Sequence, residues 1–257
     1  MRTRRLAIAG LGLVAALAVG VAGCDSVAGG DSASGDGTNT SVEQKKPIDA
    51  LNEAGQKLNS ETFKLEMVMP GGMEADGVVD APNKKASMTM AVSFGGSNLK
   101  TEVIMLSKDF YVKVSGVPGA PNQWMHLDAS KANADSPLGM INMNDPSGYQ
   151  AWSGALVSVE YDGERAFKGT IDLTKSPTAD EATLETLGDK AKEVPFTAKV
   201  DGEGRLVELV IDLSAIEPSL KAVKTRYFDF GTQVDVEAPP ASETIEAPAE
   251  LLDALSG

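Results

Sequence analysis

The chain holds 257 residues with 23 basic and 37 acidic side chains, a formal net charge of −14, one histidine and one cysteine. So acidic a balance excludes nucleic acid and anionic headgroups as partners held by bulk attraction. A lone cysteine excludes a disulfide, and beside a lone histidine it leaves no ligand set for zinc and no Cys–His pair.

Arg2, Arg4 and Arg5 precede an uncharged apolar run over residues 6–22, and Gly23 leads into Cys24. A basic n-region, an apolar h-region and small residues at a processing site make an export signal rather than part of the fold. The run is also close to the roughly 20 residues of a transmembrane helix. Against that reading it is Ala/Gly-rich, weakly hydrophobic and followed by a polar tail. Val21-Ala22-Gly23-Cys24 resembles the lipobox of bacterial lipoproteins. The resemblance implies cleavage before Cys24, a diacylglyceryl thioether on its sulfur, and N-acylation of the new terminus. Residues 1–23 are then a signal peptide, and the mature chain, three arginines poorer, hangs from the outer face of the cell membrane.

Residues 25–46 are low in complexity and lack aromatics and apolar periodicity. They cannot offset their own ordering entropy, so residues 24–46 read as a lipidated cysteine and polar tether. A Gly/Ser-type coil of that length spans roughly 25 Å end to end. Pro47 opens a helix with Ile48, Leu51, Ala54 and Leu58 on one face. From Phe63 the period changes from helical to alternating. Phe63, Leu65, Met67 and Met69 take every second place, then Met73, Ala75, Gly77 and Val79, then Met88, Met90, Val92 and Phe94. Turns at 80–83 and 95–98 separate these runs, and further strands are predicted over 99–106, 110–114 and 123–127. Asp145-Pro146 predicts a helix carrying Tyr149, Trp152 and Leu156. Strands follow over 157–161 and 166–173, and Thr178 with Glu181 forms a capping box for a helix stopped by Gly188. Hairpin strands over 196–200 and 206–213 flank Asp201-Gly202-Glu203-Gly204, and a last pair is expected over 224–230 and 234–237, with Pro239-Pro240 ending the sheet. Consecutive hairpins mean antiparallel pairing, hence one α+β domain over residues 47–243 and a tail over 244–257.

Residues fit for catalysis are scarce. His126 reads as an ordinary strand residue, no serine lies in a Gly-x-Ser-x-Gly elbow, and the carboxylates fall at alternate strand positions and turns. Asp229-Phe230-Gly231 spells a kinase metal motif without any companion motif. The expectation is therefore a protein that is not an enzyme and needs no cofactor or metal. Methionine is more telling. Beyond the initiator all lie between residues 67 and 143, several in one parity of their strands. Flexible and polarizable, methionine suits a surface that must fit variable apolar shapes, although it also fills ordinary cores. Alternation nominates Phe63, Leu65, Met67, Met88, Met90, Val92, Phe94, Val103 and Met105 as the lining of an apolar cavity.

The lipobox, the tether, the helix over 47–58 and the alternating run after it resemble the LppX/LprG/LprF lipoproteins of actinobacteria, relatives of the LolA/LolB lipoprotein carriers. Further likenesses are Trp124-Met125-His126-Leu127-Asp128, the hairpins around Asp162-Gly163 and Asp201-Gly202, and the ending from Phe228 to Pro240, where Gln233 replaces a common proline. The resemblance covers residues 47–243. It implies a strongly curved antiparallel sheet, a half-barrel, with helices on the concave face enclosing an apolar cavity. It also implies a monomer that binds the acyl chains of a lipid or glycolipid, carries or places it in the cell envelope, and meets an envelope transport protein. The alternative is a lipid-anchored adaptor with a solid core and no ligand, docking a protein partner.

Overall fold

Pro47 sets the first turn of α1 (Pro47–Gln56), whose missing amide is one the helix start leaves unpaired anyway. In this computed structural model residues 45–248 are described, apart from 95–96, 118–121, 129–144, 146, 177–183, 186 and 219 and the side chains of Phe94, Ser97 and Ala151. The predicted signal peptide, Cys24 and nearly all of the tether lie outside the described residues, as do Met140, Met143 and the Thr178–Glu181 box. Leu51 and Ala54 of α1, with Leu58 just beyond it, are buried at helical spacing. That stripe packs α1 against α2 (Tyr149–Ser153) and the sheet.

The remaining elements are strands: β1 (Thr62–Met69), β2 (Met73–Asp80), β3 (Lys85–Phe94), β4 (Ser97–Leu106), β5 (Asp109–Ser115), β6 (Trp124–Asp128), β7 (Leu156–Tyr161), β8 (Ala166–Ile171), β9 (Val194–Val200), β10 (Leu206–Ile211), β11 (Val223–Phe228) and β12 (Thr244–Glu246). They form one twelve-stranded sheet in the order β12-β6-β5-β4-β3-β2-β1-β11-β10-β9-β8-β7. Two meanders, β1–β6 and β7–β11, meet where β1 pairs with β11, over Lys64–Phe228 to Val68–Lys224.

The sequence placed most of this, with three corrections. The helix expected from Asp145 through Leu156 is only five residues long, because Gly148 enters it at φ 68° and Leu156 already begins β7. The strand expected over 234–237 does not form. Val236 is buried there outside any strand, and its carbonyl accepts a bond from Lys85 Nζ at 3.4 Å. Pro239-Pro240 does not end the sheet either. The chain returns as β12, in residues the sequence reading gave to the tail, and runs parallel to β6 from Thr244–Trp124 to Glu246–His126. The sheet is therefore mixed rather than purely antiparallel.

Candidate functional site

Strand register carries one face across the whole sheet. Opposite Phe63 stands Val79, and the line continues through Ala86, Met105, Phe110 and Leu127. A second line runs Tyr227, Leu65, Gly77, Met88, Val103, Val112, Met125 and Ile245. A third holds Thr225, Met67, Ala75, Met90, Thr101 and Val114, and a fourth Met69, Met73, Val92 and Leu99. In β7–β10 the same face presents Val159, Phe167, Phe196, Ala198 and Leu209. No charged residue falls on it in any strand. Every described methionine, from Met67 to Met125, does.

Burial falls from line to line. In the first, no residue is more than 8% exposed, because Leu51, Leu58 and Tyr149 join it in one core. Of the nominated lining, Phe63, Leu65 and Met105 belong to this packed part. Met67, Met88, Met90, Val92 and Val103 are half-buried, as are Met69, Met73, Leu99 and Val114. Phe94 holds a position on the same face, but its side chain is outside the description. Beyond the core a hollow of about 220 Å³ opens, lined by Met73, Met90, Val92, Leu99, Thr101, Val114 and Val117, with Ala91 at its border. It is smaller than the roughly 300–1,000 Å³ of a ligand pocket.

Trp152 sits where this core meets β9, edge-on to Tyr149 at 4.9 Å and tilted against Phe196 at 6.1 Å. Among the described residues its buried Nε1–H has no hydrogen-bond partner. The helix pattern predicted its placement; nothing in the sequence flagged the missing partner.

The opposite face is polar. Glu208 bridges Lys199 at 2.8 Å and Lys224 at 3.0 Å, and Arg226 meets Glu66 at 3.3 Å. A larger hollow of about 490 Å³ lies here, among Lys64, Leu65, Glu66, Asp76, Gly77, Val78, Ser87, Thr89 and Phe228. Its wall mixes three charged side chains and two hydroxyls with apolar groups, unlike the uncharged face.

His126 is more than an ordinary strand residue. On the polar face, Nε2 lies 3.0 Å from Asp109 of β5, and Nδ1 lies 3.0 Å from Glu246 of β12. Tyr111 stacks at 5.0 Å. Partial burial pulls the imidazole pKa down, but hydrogen bonds and charge from Asp109 and Glu246 outweigh it and raise the value overall. The arrangement clamps β12 onto β6. Among the described residues no group of three or more His, Cys, Asp or Glu is placed to hold a metal ion, and no helix is long and apolar enough to cross a membrane.

Compared with known proteins, the chain matches no family model and no curated protein.

Proposed function

We propose that this protein is a membrane-anchored lipoprotein of the LppX/LprG/LprF type, which binds acyl chains of a lipid or lipoglycan on the apolar sheet face and carries or places that lipid in the cell envelope. The observation that carries the reading is the uncharged, methionine-rich face that stays half-exposed beyond its core. Burying one large apolar side chain is worth about 1.5–3 kcal/mol relative to exposure. Leaving Met67, Met69, Met73, Met88, Met90, Val92 and Val103 part-wet therefore forgoes stability that a ligand would restore. Thioether side chains adapt to a flexible chain at little cost.

In this reading the sheet curls around the face as a half-barrel, with α1 and α2 closing one end. Its strands carry the devices that bend sheets. A Cβ added at Gly77 would come within 2.8 Å of Ser87 O, and one at Gly169 would run into the Ser158 backbone. Register shifts occur within β7–β8 and β9–β10. Glycines at close approaches and bulges are how strands turn sharply. The protein would then be a binding module rather than an enzyme, anchored through Cys24 and tethered by residues 25–46.

The test is native mass spectrometry of the full chain carrying Cys24→Ser, purified from a membrane-containing host, which retains acyl lipid if the reading is right. Val103→Asp, a charge in the middle of the half-exposed face, should lower retention at unchanged secondary structure. A chain that carries no lipid, or the same lipid in the Val103→Asp variant, overturns the assignment.

A further inference from the structure

The two ends of the β1–β6 meander differ in charge. At one end register aligns Asp80 with Lys85, then Leu106, Asp109 and Asp128, and the turns there add Lys84 and Lys108. At the other end, where Met69 pairs with Met73 and Val92 with Leu99, the described residues 67–73, 86–94, 97–99, 114–117 and 122–125 carry no charge. In a chain with 23% charged residues such uncharged runs are long. The described residues at this end are also unusually wet for their chemistry. Val68 is 48% and Val117 43% exposed, and Pro70 leads into a tip at Gly71 and Gly72 that both have positive φ and nothing packed against them.

We propose that this uncharged end docks on the surface of a lipid bilayer, placing the apolar hollow bordered by Met73, Leu99 and Val117 at the headgroup level. Electrostatics select the end. A chain of net charge −14 is repelled by anionic leaflets, and the described residues of this end can approach with few formal charges to desolvate. The flanking charges stand on the polar face. They are Glu74 and Lys224, both register partners of Val68, together with Lys100 and with Lys113, whose ammonium lies 6.0 Å from the Trp124 ring. Lys100 pairs with Glu102 at 2.8 Å and Lys224 with Glu208. Trp124 begins β6 at the same end, and tryptophan is the side chain that favours the membrane–water interface. The inference goes beyond the ligand reading and stands without it, since an end can dock whether or not the face is filled.

Hydrogen exchange of the full chain reconstituted in phosphatidylcholine vesicles tests it. Amides of residues 69–73 and 114–117 should exchange about tenfold more slowly than in detergent-free, lipid-free protein, with no change over 80–85 and 106–109. The double variant Val68→Asp and Val117→Asp should lose that protection while keeping its melting temperature. Lys108→Asp, the same charge change at the opposite end, should keep it. Unprotected tips in the wild-type chain, protection that survives the double variant, or protection that tracks protein concentration without lipid would each overturn the proposal, the last by assigning the end to a second copy. Lipid retention, measured separately, reports only on the ligand reading.

Discussion

At the scale of single residues, His126 and Gly55 show how much rests on one atom. With both ring nitrogens facing carboxylates, His126 satisfies both only as imidazolium, when each nitrogen donates. Its folded pKa is raised, so the clamp's stabilisation is fully present below the unfolded value near 6.5 and is lost as pH rises through the folded one. Amide exchange of residues 244–247 should therefore speed up as pH rises above about 6.5, beyond its intrinsic base catalysis. In His126→Asn the excess should vanish, and an identical pH profile in both proteins would remove the clamp. Gly55 is a different case. It sits inside α1, where glycine costs roughly 1 kcal/mol against alanine, yet an added Cβ there would enter the Tyr149 ring. Tyr149 is 1% exposed, its hydroxyl donating to Asn52 Oδ1 at 2.8 Å or to Leu51 O at 3.1 Å, and burial raises its pKa. Gly55→Ala, favourable by helix propensity alone, should destabilise by about 1–3 kcal/mol through overpacking. Denaturant unfolding measures it, and a stabilised variant would show that Tyr149 has room to move.

At the scale of elements, the half-exposed strand face makes the sharpest prediction. Met90 lies beside the 220 Å³ hollow, between Ala75 and Thr101. In a packed core Met90→Trp would cost about 1–3 kcal/mol. Where the site is a wall of open space, the indole should fill that space, leaving the melting temperature within a few degrees and displacing bound lipid. Strong destabilisation with unchanged lipid content would return Met90 to the core. The same face explains what could be read in advance. Alternation placed β1–β5 because one parity is uncharged and mostly apolar from Phe63 to Val114, and period two translates directly into sides of a sheet. The nominated lining was legible as a face but not as a gradient. Nothing local tells Phe63, sealed beneath Leu51 and Leu58, from Met90, which is not. β12 was illegible because three residues after two prolines carry no period, and their pairing with β6 is decided over a hundred residues away. Val234 and Val236 misled for the opposite reason. Val236 is buried, yet its stretch of chain has no ladder partner.

At the scale of the whole molecule, the sheet is two meanders joined by one seam. β1 and β11 share five register pairs, and Phe63 binds the seam from the apolar face, with Tyr227 at 5.8 Å and Phe230 at 6.2 Å. From behind, Arg205 lies over the Phe230 ring at 4.4 Å and reaches Asp201 at 2.6 Å, Glu203 at 3.2 Å and Glu61 at 3.5 Å. The first meander thus depends on the second for its inner edge, while α1 supplies core to both. Phe63→Ala, at a side chain with no exposed surface, should cost about 3–5 kcal/mol, a large share of the roughly 5–15 kcal/mol that holds a domain folded. The loss should be felt on both sides of the seam at once. Hydrogen exchange near the unfolding midpoint should then show β3 and β9 losing protection together, in a single transition that coincides with loss of far-ultraviolet ellipticity. If β9 kept its protection while β3 lost it, the halves would be separate cooperative units, and the face built across them could not act as one surface.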